Sequence, residues 1–323
     1  LLSIGGVAVE TVTEDAHTAL KLHRNGLLSA YINIPLAAGL ATENLAGHIG
    51  QRIRWARGMT QIFRIDNPFM GKGLTLAQRL CYANASMHFF FGVPRLIFLL
   101  APLGYLFFEL HFIRAEPVVL LMYGLPYITL ANIANHHLHG RYRHSFWADV
   151  YETVLASYIT LPTLLALISP RLGKFNVTPK GGMTRAEYID WRINIPYILL
   201  LLLNTAGFVV GLFRLEWWNA HEYQAVLMNL FWALYNLIVL GVAFSVGTEL
   251  RQIRHSHRTA AKLKAIIYLP NDQVVATHTL DFSFDGLALD IVGLETPSPG
   301  DAVSVGLFRG SHEYTFQGSC LLY

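Results

Sequence analysis

The sequence has few charged residues and few cysteines, and each shortage excludes a class of protein. Only 14% of its 323 residues are charged, whereas 53% are apolar or aromatic, and the mean hydropathy is +0.39. That balance is typical of a membrane protein and excludes an ordinary soluble domain. The two cysteines, Cys81 and Cys320, lie far apart and exclude both a disulfide framework and a zinc-ligand spacing, so we expect the extramembrane segments to be cytosolic. The net charge of +3 is too small to indicate nucleic-acid binding.

The chain also lacks a signal-peptide pattern and an Asp-x-Asp tripeptide. A signal peptide would begin with basic residues before an apolar stretch, whereas residues 1–9 predict part of a strand and a turn. Residues 321–323, at the other end, lie within a further apolar run. From both ends we therefore expect this sequence to be a fragment of a longer protein.

Long apolar segments occupy the middle of the chain. A helix needs about 20 apolar residues to cross a bilayer. Four segments approach or exceed that length: 84–112 (interrupted at Pro94-Arg95), 117–135, 194–213 and 225–247. A fifth segment, 153–169, is shorter. If it crossed the membrane, the basic residues between 171 and 192 would lie on the side away from the cytosol. We therefore predict four spanning helices, with 153–169 lying along the interface or against the bundle.

The placement of charge predicts which loops face the cytosol. Arginines and lysines lie between 141 and 192 and again from 251 to 264, after the last apolar segment. The positive-inside rule places both groups in the cytosol. The loop 216–223, with its acids and tryptophans, suits the opposite face.

The two flanks of the apolar region have different patterns. Residues 1–80 are mixed in polarity and predict amphipathic helices at 15–25 and 46–63. After Lys264, five short runs separated by Asn, Asp, Gly and Pro predict strands. These runs are 265–269, 274–280, 287–292, 302–308 and 314–317. We expect them to form a small β-barrel that is incomplete in this chain.

Three short motifs are weak singly and specific together. Thr13-Glu14-Asp15 alone indicates a helix cap, the run 51–55 (QRIRW) an anchor at the membrane interface, and the run 175–182 (FNVTPKGG) a loop with a basic residue. In this order and spacing they resemble the TED, QxxRW and FxVTxKGG motifs of processive glycosyltransferases of the cellulose synthase type. Chitin and hyaluronan synthases share the first two motifs. They lack the combination of the third motif with a β-barrel after it.

A fourth pattern follows the last apolar segment. Residues 254–258 match RxxxR and residues 281–286 match DxSxxG. Together they resemble the signature of PilZ domains, which bind cyclic di-GMP. A basic run beside a membrane also suits a patch that binds anionic lipids, but here the second half of the signature falls in the predicted barrel.

The resemblance covers essentially the whole chain and implies its architecture. It implies a membrane α-helical bundle, with amphipathic interface helices, that joins the end of an α/β glycosyltransferase domain to a C-terminal β-barrel PilZ domain. Residues 1–80 would end the glycosyltransferase domain, and 81–250 would form the transmembrane channel with a cytosolic gating loop at 171–184. Residues 251–323 would be an incomplete PilZ domain. The implied location is the bacterial inner membrane, with the active site and the PilZ domain in the cytosol.

For the reaction, the resemblance implies transfer of glucose from UDP-glucose to the 4-hydroxyl of a growing β-1,4-glucan, which then crosses the membrane through the protein's own channel. In the motif that begins at Thr13, Asp15 is the expected base, because a helix start holds its carboxylate at the end of a rigid element. Glu14 is expected to orient the site. Arg54 would bind the departing diphosphate, with Gln51, one helical turn earlier, as a further donor.

Aromatic and loop residues complete the implied substrate site. Trp55 offers an apolar face on which the terminal sugar stacks. Phe175 and Val177 would pack against the nucleotide, while Thr178 and Lys180 would donate to phosphate oxygens in a loop that closes and opens the site. Candidate linings of the channel are Phe89, Phe90, Tyr105, Trp232 and Tyr235.

The expected sensor site uses the same chemistry. Arg254 and Arg258 would pair with the phosphates of cyclic di-GMP and stack on its guanines. Asp281 and Ser283 would hydrogen-bond base edges or the backbone, and Gly286 would permit close approach at a turn.

Regulation is expected to act through one of these arginines. Without the ligand, Arg254 would pair with a carboxylate near the active site, for which Glu43 is the candidate. Cyclic di-GMP would compete for that arginine and release the gating loop.

The resemblance also implies components that lie outside this chain. The family binds UDP and a divalent metal, Mg²⁺, through upstream aspartates that include a DxD motif. The metal ligands are therefore expected before Leu1, and the fragment alone should not transfer sugar. A periplasmic subunit anchored in the same membrane is the expected partner.

Two alternatives are left open by the residues. A curdlan-type synthase, which makes a 1,3-linked β-glucan, would carry similar motifs because linkage depends on the orientation of the acceptor. A non-catalytic cyclic di-GMP receptor that gates a partner's export channel would have no need of the motifs at 13–15, 51–55 and 175–182.

Overall fold

The computed structural model separates a helical part of the chain from a part built of strands. It describes residues 1–32, 34, 42, 44–112, 116–140, 144–171, 187–249, 258–269, 273–291, 297–310 and 312–321. The chain divides into two compact units, Leu1–Arg251 and Gln252–Tyr323. The first unit carries the helices, and the second carries a β-sheet.

Eight α-helices occupy the described part of the first unit. They are α1 (Glu14–Arg24), α2 (Leu45–Ile65), α3 (Leu76–Met87), α4 (Gly92–Phe108), α5 (Pro117–His139), α6 (Ser145–Ile168), α7 (Trp191–Phe213) and α8 (Tyr223–Val246). Capping residues explain where several of these helices begin. The Asn44 side chain caps α2 by accepting from the Gly47 amide at 2.8 Å, Thr75 and Gln78 form a capping box on α3, and α5 begins at Pro117, where a missing N–H costs nothing.

Two local predictions are corrected by the structure. The break in the apolar segment 84–112 is a 3-10 turn at His88–Phe91 rather than Pro94. Pro94 lies in the first turn of α4, where no helical hydrogen bond needs its nitrogen. At the N-terminus, Leu2–Ile4 forms one 3-10 turn in place of the predicted strand, since no described segment pairs with it. The predicted turn is present, at Gly5 and Gly6, which have φ of 82° and 100°.

Five stretches of helix are long and apolar enough to cross a bilayer, by length and composition: Leu76–Phe108, Pro117–His139, Ser145–Ile168, Trp191–Trp218 and Ala220–Val246. Four of them overlap the predicted spanning segments, of which 84–112 and 225–247 extend past the observed ends at Phe108 and Val246. The remaining one is α6, which is longer than the predicted segment 153–169 because it begins at Ser145.

Two contacts, one near the start of α6 and one just beyond its end, place this helix alongside α2. Near the start of both helices, the Tyr151 hydroxyl lies 3.2 Å from Nε2 of His48. Beyond the end of α6, the Pro170 carbonyl accepts from Nε2 of Gln61 at 2.6 Å. Because α2 carries four arginines within 21 residues, it cannot cross a hydrocarbon core. These contacts support the prediction that α6 stays at the interface, and that position remains a prediction.

Helices α4, α7 and α8 form a bundle, and contacts at each of its two ends fix their directions. At one end, β1 (Tyr188–Ile189) precedes α7 and pairs antiparallel with β2 (Thr248–Glu249), which follows α8. The Glu249 carboxylate there accepts from the Leu45 amide at 2.6 Å, so the start of α2 lies at the same end.

At the opposite end, the end of α4 meets the end of α7 and the start of α8. Arg214 is buried, and it donates to the Leu106 and Phe107 carbonyls and to Glu109 and Asn219. A buried guanidinium has to be paired in this way, and its partners include carbonyls that the end of α4 leaves without helical donors. The arrangement makes α7 and α8 an antiparallel pair.

The C-terminal unit is an antiparallel sheet. Its strands are β3 (Thr259–Ala260), β4 (Lys264–Tyr268), β5 (Val274–Phe282), β6 (Leu287–Leu289), β7 (Ala302–Arg309) and β8 (His312–Ser319). The order is β3-β5-β4-β7-β8, with β6 paired to β5, and the core contains Ala265, Ile267 and Val305. The five predicted strands are confirmed. The described strands form an open sheet, so closure into a barrel stays a prediction.

We predict that both ends of α6 face the same side of the membrane. In the full-length protein with Cys81→Ser and Cys320→Ser, Ser145→Cys and Arg171→Cys should react with an impermeant maleimide from one side. Labelling of intact cells and of inverted vesicles measures the side.

The matched control is Glu216→Cys, which should react only from the opposite side. Labelling of the two α6 positions from different sides would mean that α6 crosses the bilayer.

Candidate functional site

The Thr13-Glu14-Asp15 turn is the first turn of α1. Thr13 is buried and precedes the helix, whereas the side chains of Glu14 and Asp15 are exposed. One oxygen of the Asp15 carboxylate accepts from the Ala16 amide at 2.7 Å. The N-terminus of a helix favours an ionised carboxylate, so the turn presents a charged acceptor to solvent.

Helix α2 packs directly on this turn through Gly58. A β-carbon at Gly58 would lie 2.6 Å from Oγ1 and Cγ2 of Thr13 and 2.8 Å from its amide nitrogen. No side chain larger than hydrogen fits at that distance. The glycine therefore brings the backbone of α2 into contact with the turn that carries Asp15.

A second contact from α2 joins the same turn to the end of α6. Oε1 of Gln61 accepts from the Val12 amide at 3.0 Å, and its Nε2 donates to the Pro170 carbonyl at 2.6 Å. Gln61 is 4% exposed. Nothing in the local sequence singles this glutamine out, because both of its partners are backbone groups distant in sequence.

Behind the turn lies a buried polar cluster around His17. Its Nδ1 lies 3.2 Å from the Thr11 hydroxyl and its Nε2 lies 3.6 Å from the Asp66 carboxylate. Asp66 also pairs with Arg24 at 2.8 Å. Burial, followed by the charge of Lys21, lowers the pKa of His17 although Asp66 and Glu10 oppose the shift. The cluster ties α1 to the end of α2.

The second motif lies on α2 itself. Gln51 and Arg54 are partly buried, and Trp55 is 39% exposed. The Arg52 guanidinium lies over the Trp55 ring at 4.6 Å and over the Tyr151 ring at 5.5 Å. One face of the indole therefore carries a cation.

A charged cluster in the bundle went unnoticed in the sequence. Nη2 of Arg95, on α4, donates to Asp149 at 2.6 Å and to Glu152 at 2.8 Å, both on α6. The Tyr235 hydroxyl, on α8, donates to the other oxygen of Asp149 at 2.5 Å. Ionisable groups inside a helical bundle are costly and commonly mark a polar pathway. Only Tyr235 was predicted here, as an aromatic of the channel.

In the C-terminal unit, the two halves of the RxxxR and DxSxxG pattern come together. Arg258 donates to the Asp281 carboxylate at 2.8 Å. The Ser283 amide donates to the Gly286 carbonyl at 2.7 Å, and its hydroxyl donates to the same carbonyl at 3.1 Å. A β-carbon at Gly286 would lie 3.6 Å from the Arg258 guanidinium. The exposed Phe284 lies at the tip of this turn.

Several predicted site residues lie outside the described residues. They are Glu43, Phe175, Val177, Thr178, Lys180 and Arg254. The roles assigned to them stay predictions. Within the described ranges, no group of three or more His, Cys, Asp and Glu side chains could hold a metal ion.

Together the fold and the motifs define a class: a helical membrane protein in which a glycosyltransferase-type turn packs on an arginine-rich interface helix. A family model described as cellulose synthase matches residues 3–257. The chain belongs to the cellulose synthase family.

Curated relatives agree with this assignment. The chain is 50% identical over 316 residues to a cellulose synthase catalytic subunit [UDP-forming] of Pseudomonas fluorescens (strain SBW25), covering 98% of this chain and 43% of the relative. It is 52% identical to the subunit of that name from Xanthomonas axonopodis pv. citri (strain 306), with the same coverage. It is 45% identical over 301 residues to that of Komagataeibacter sucrofermentans, covering 90% of this chain and 40% of the relative. The chain thus spans less than half the length of these relatives.

We predict that Gly58→Ala destabilises the contact between α2 and the Thr13 turn. Overpacking at such a site costs about 1–3 kcal/mol, and the atoms nearest to the added carbon include the Thr13 amide nitrogen, which cannot rotate away. The full-length variant in detergent should melt at a lower temperature in a thermal-shift assay.

Gly50→Ala is the matched control, on the same helix with nothing within 4 Å of the added carbon. It should be neutral or stabilising, by up to about 1 kcal/mol, since alanine favours helix over glycine. Equal melting temperatures for the two variants would contradict the contact.

Proposed function

We propose that this chain is part of a cellulose synthase catalytic subunit. The subunit transfers glucose from UDP-glucose to the 4-hydroxyl of a growing β-1,4-glucan with inversion, and it moves the polymer through its own membrane channel. The observation that carries the proposal is the direct packing of the Thr13 turn on α2, at Gly58 and Gln61. This contact packs the turn that carries the expected base against the helix that carries the expected diphosphate ligand.

Asp15 acts as the base in this proposal. Its carboxylate is exposed at the start of α1, free to approach an acceptor hydroxyl from solvent. In the transfer it takes the proton of the 4-hydroxyl, while that oxygen bonds to the anomeric carbon and UDP leaves from the opposite face. Glu14, which is also exposed, orients the hydroxyl.

Arg54 and Gln51 stabilise the leaving group. They lie three residues apart on α2, which places them on neighbouring positions of one helix face. A guanidinium that binds the diphosphate offsets the negative charge that develops as UDP departs. Trp55 holds the terminal sugar on the ring face that Arg52 leaves open.

The Arg95 cluster supports a polymer path through the bundle. It joins α4, α6 and α8 and combines a guanidinium, two carboxylates and a tyrosine hydroxyl. These groups can exchange hydrogen bonds with sugar hydroxyls in turn, which lets a polymer slide without one strongly bound state. Ionisable side chains within membrane bundles commonly mark substrate pathways.

Cyclic di-GMP is the proposed activator, bound by a PilZ domain in the C-terminal unit. The proximity of Arg258, Asp281, Ser283 and Gly286 supports this site, because a guanidinium beside a polar turn suits a phosphate next to a guanine edge. Release of Arg254 from Glu43 is the proposed route of activation.

Three further parts of the proposal rest on the family resemblance. Residues 175–182 form the gate over the nucleotide, Mg²⁺ is held by residues upstream of this chain, and a periplasmic subunit anchored in the same membrane receives the glucan. The proposed location is the bacterial inner membrane, with the active site in the cytosol.

We expect Asp15→Asn to lower glucan synthesis by on the order of 10²–10⁴-fold, because the amide cannot accept the proton. Membranes that contain the full-length protein would receive UDP-glucose, Mg²⁺ and cyclic di-GMP, and insoluble glucan would be measured with radiolabelled donor. Digestion with 1,4- and 1,3-specific glucanases identifies the linkage.

Glu216→Gln, in the π-helical turn Arg214–Trp218 that continues α7, is the control and should leave synthesis unchanged. Activity of Asp15→Asn near the wild-type rate would exclude Asp15 as the base. A product resistant to the 1,4-specific enzyme would exclude cellulose.

We expect Arg258→Ala to weaken cyclic di-GMP binding by on the order of 10-fold or more, since a hydrogen bond to a charged group contributes about 1.5–3 kcal/mol. Isothermal titration of the full-length protein in detergent measures the affinity. Lys264→Ala, an exposed cation at the start of β4, should bind like the wild type. Equal affinities for both variants would remove Arg258 from the site.

A further inference from the structure

We propose that Gln61 is a positioning residue for glycosyl transfer, which fixes the turn that carries Asp15 relative to the end of α6. The inference rests on the proposed function. Gln61 touches neither substrate nor the reacting atoms in this proposal, and it acts only through the backbone of the two segments it joins.

The two ends of the Gln61 amide have separate partners. Its oxygen accepts from the Val12 amide, one residue before Thr13, and its nitrogen donates to the carbonyl of Pro170, two residues after α6 ends. The side chain is 4% exposed, and its two backbone partners, at Val12 and Pro170, are partly buried. Leaving a buried backbone group without a partner costs about 1–3 kcal/mol, and a partly buried group loses a part of that.

Helical spacing places Gln61 on the same face of α2 as the other contacts. Arg54, Gly58 and Gln61 follow the spacing i, i+4, i+7, which is one stripe of an α-helix. Along this stripe lie the expected diphosphate ligand, the close contact with Thr13 and the bridge to Pro170. One rigid helix thereby sets the positions of the proposed base and of the α6 end.

Only a neutral amide or a neutral acid can make both bonds at this position. The nitrogen of the amide donates while its oxygen accepts, and a protonated carboxyl group has the same combination. An ionised carboxylate accepts from Val12 but meets the Pro170 carbonyl with a second acceptor. A leucine makes neither bond.

The test uses the full-length protein with Gln61→Leu and Gln61→Glu. We expect Gln61→Leu to lower kcat for glucan synthesis on the order of 10- to 100-fold with KM for UDP-glucose little changed, because a displacement of about 1 Å at a reacting group has effects of that size. Gln61→Glu should be impaired to a similar degree at about pH 8.

The activity of Gln61→Glu relative to wild type should rise as the pH falls towards about 6. Burial and the adjacent carbonyl disfavour the charged form and raise the pKa of the introduced carboxyl group, so its neutral form gains population over this range. The relative activity of Gln61→Leu should not change with pH. Gln224→Glu, exposed at the start of α8, is the matched control and should follow the wild type throughout.

Three outcomes would overturn the proposal. They are a kcat for Gln61→Leu within twofold of wild type, an equal pH response in the two Gln61 variants, and a response in Gln224→Glu that matches Gln61→Glu. Loss of activity in both Gln61 variants without pH recovery would assign Gln61 an ordinary packing role.

A measurement independent of catalysis separates this proposal from the proposed function. Amide hydrogen exchange at Val12 should be slow in the wild type and faster in Gln61→Leu, even in a preparation that makes no glucan. Absence of glucan from the wild type would then count against the proposed function alone. Unchanged exchange at Val12 would count against the Gln61 bridge.

Discussion

The contact between α2 and the Thr13 turn is the constraint on which the rest of the helical unit depends. Because α2 carries four arginines, it cannot enter the hydrocarbon core of a membrane. Gly58 lets its backbone reach Thr13, and Gln61 extends the contact to Pro170. The position of the Asp15 carboxylate therefore follows from a helix that packs against α6 rather than from the helix it begins.

Polar groups inside the apolar bundle impose a second constraint, since each needs a partner. Arg214 donates to carbonyls at the end of α4. Asn236 of α8 donates to the Leu99 carbonyl of α4 at 3.2 Å. Arg95 finds the acids of α6. Apolar packing alone would let these helices shift along one another. The hydrogen bonds join them in one register and align the two ends of the bundle. The helix register is thus defined by polar residues, and those around Arg95 also line the proposed polymer path.

The sequence predicted the elements well because their signals are local. Apolar runs of spanning length, the acids at the start of α1 and the turn residues between the strands each act within a few residues. The missed features depend on geometry at a distance: the 3-10 turn at His88–Phe91 was assigned to Pro94, and the partners of Arg95 lie more than 50 residues away. The sequence predicts that motif 13–15 acts with 51–55 and that 254–258 acts with 281–286. In the structure Thr13 packs on α2 at Gly58, beyond the second motif, and Arg258 donates to Asp281.

By itself, the sequence determined the membrane class, the approximate bounds of the helices and strands, and the motifs that identify the family. Hydropathy, turn chemistry and motif spacing are properties of consecutive residues, so no fold is needed to detect them. Tertiary structure alone decided that α6 packs alongside α2, that Thr13 contacts α2 at Gly58 and that Gln61 hydrogen-bonds both Val12 and Pro170. Those facts depend on backbone groups, which every residue carries in nearly the same form, and only the folded chain shows which of them meet.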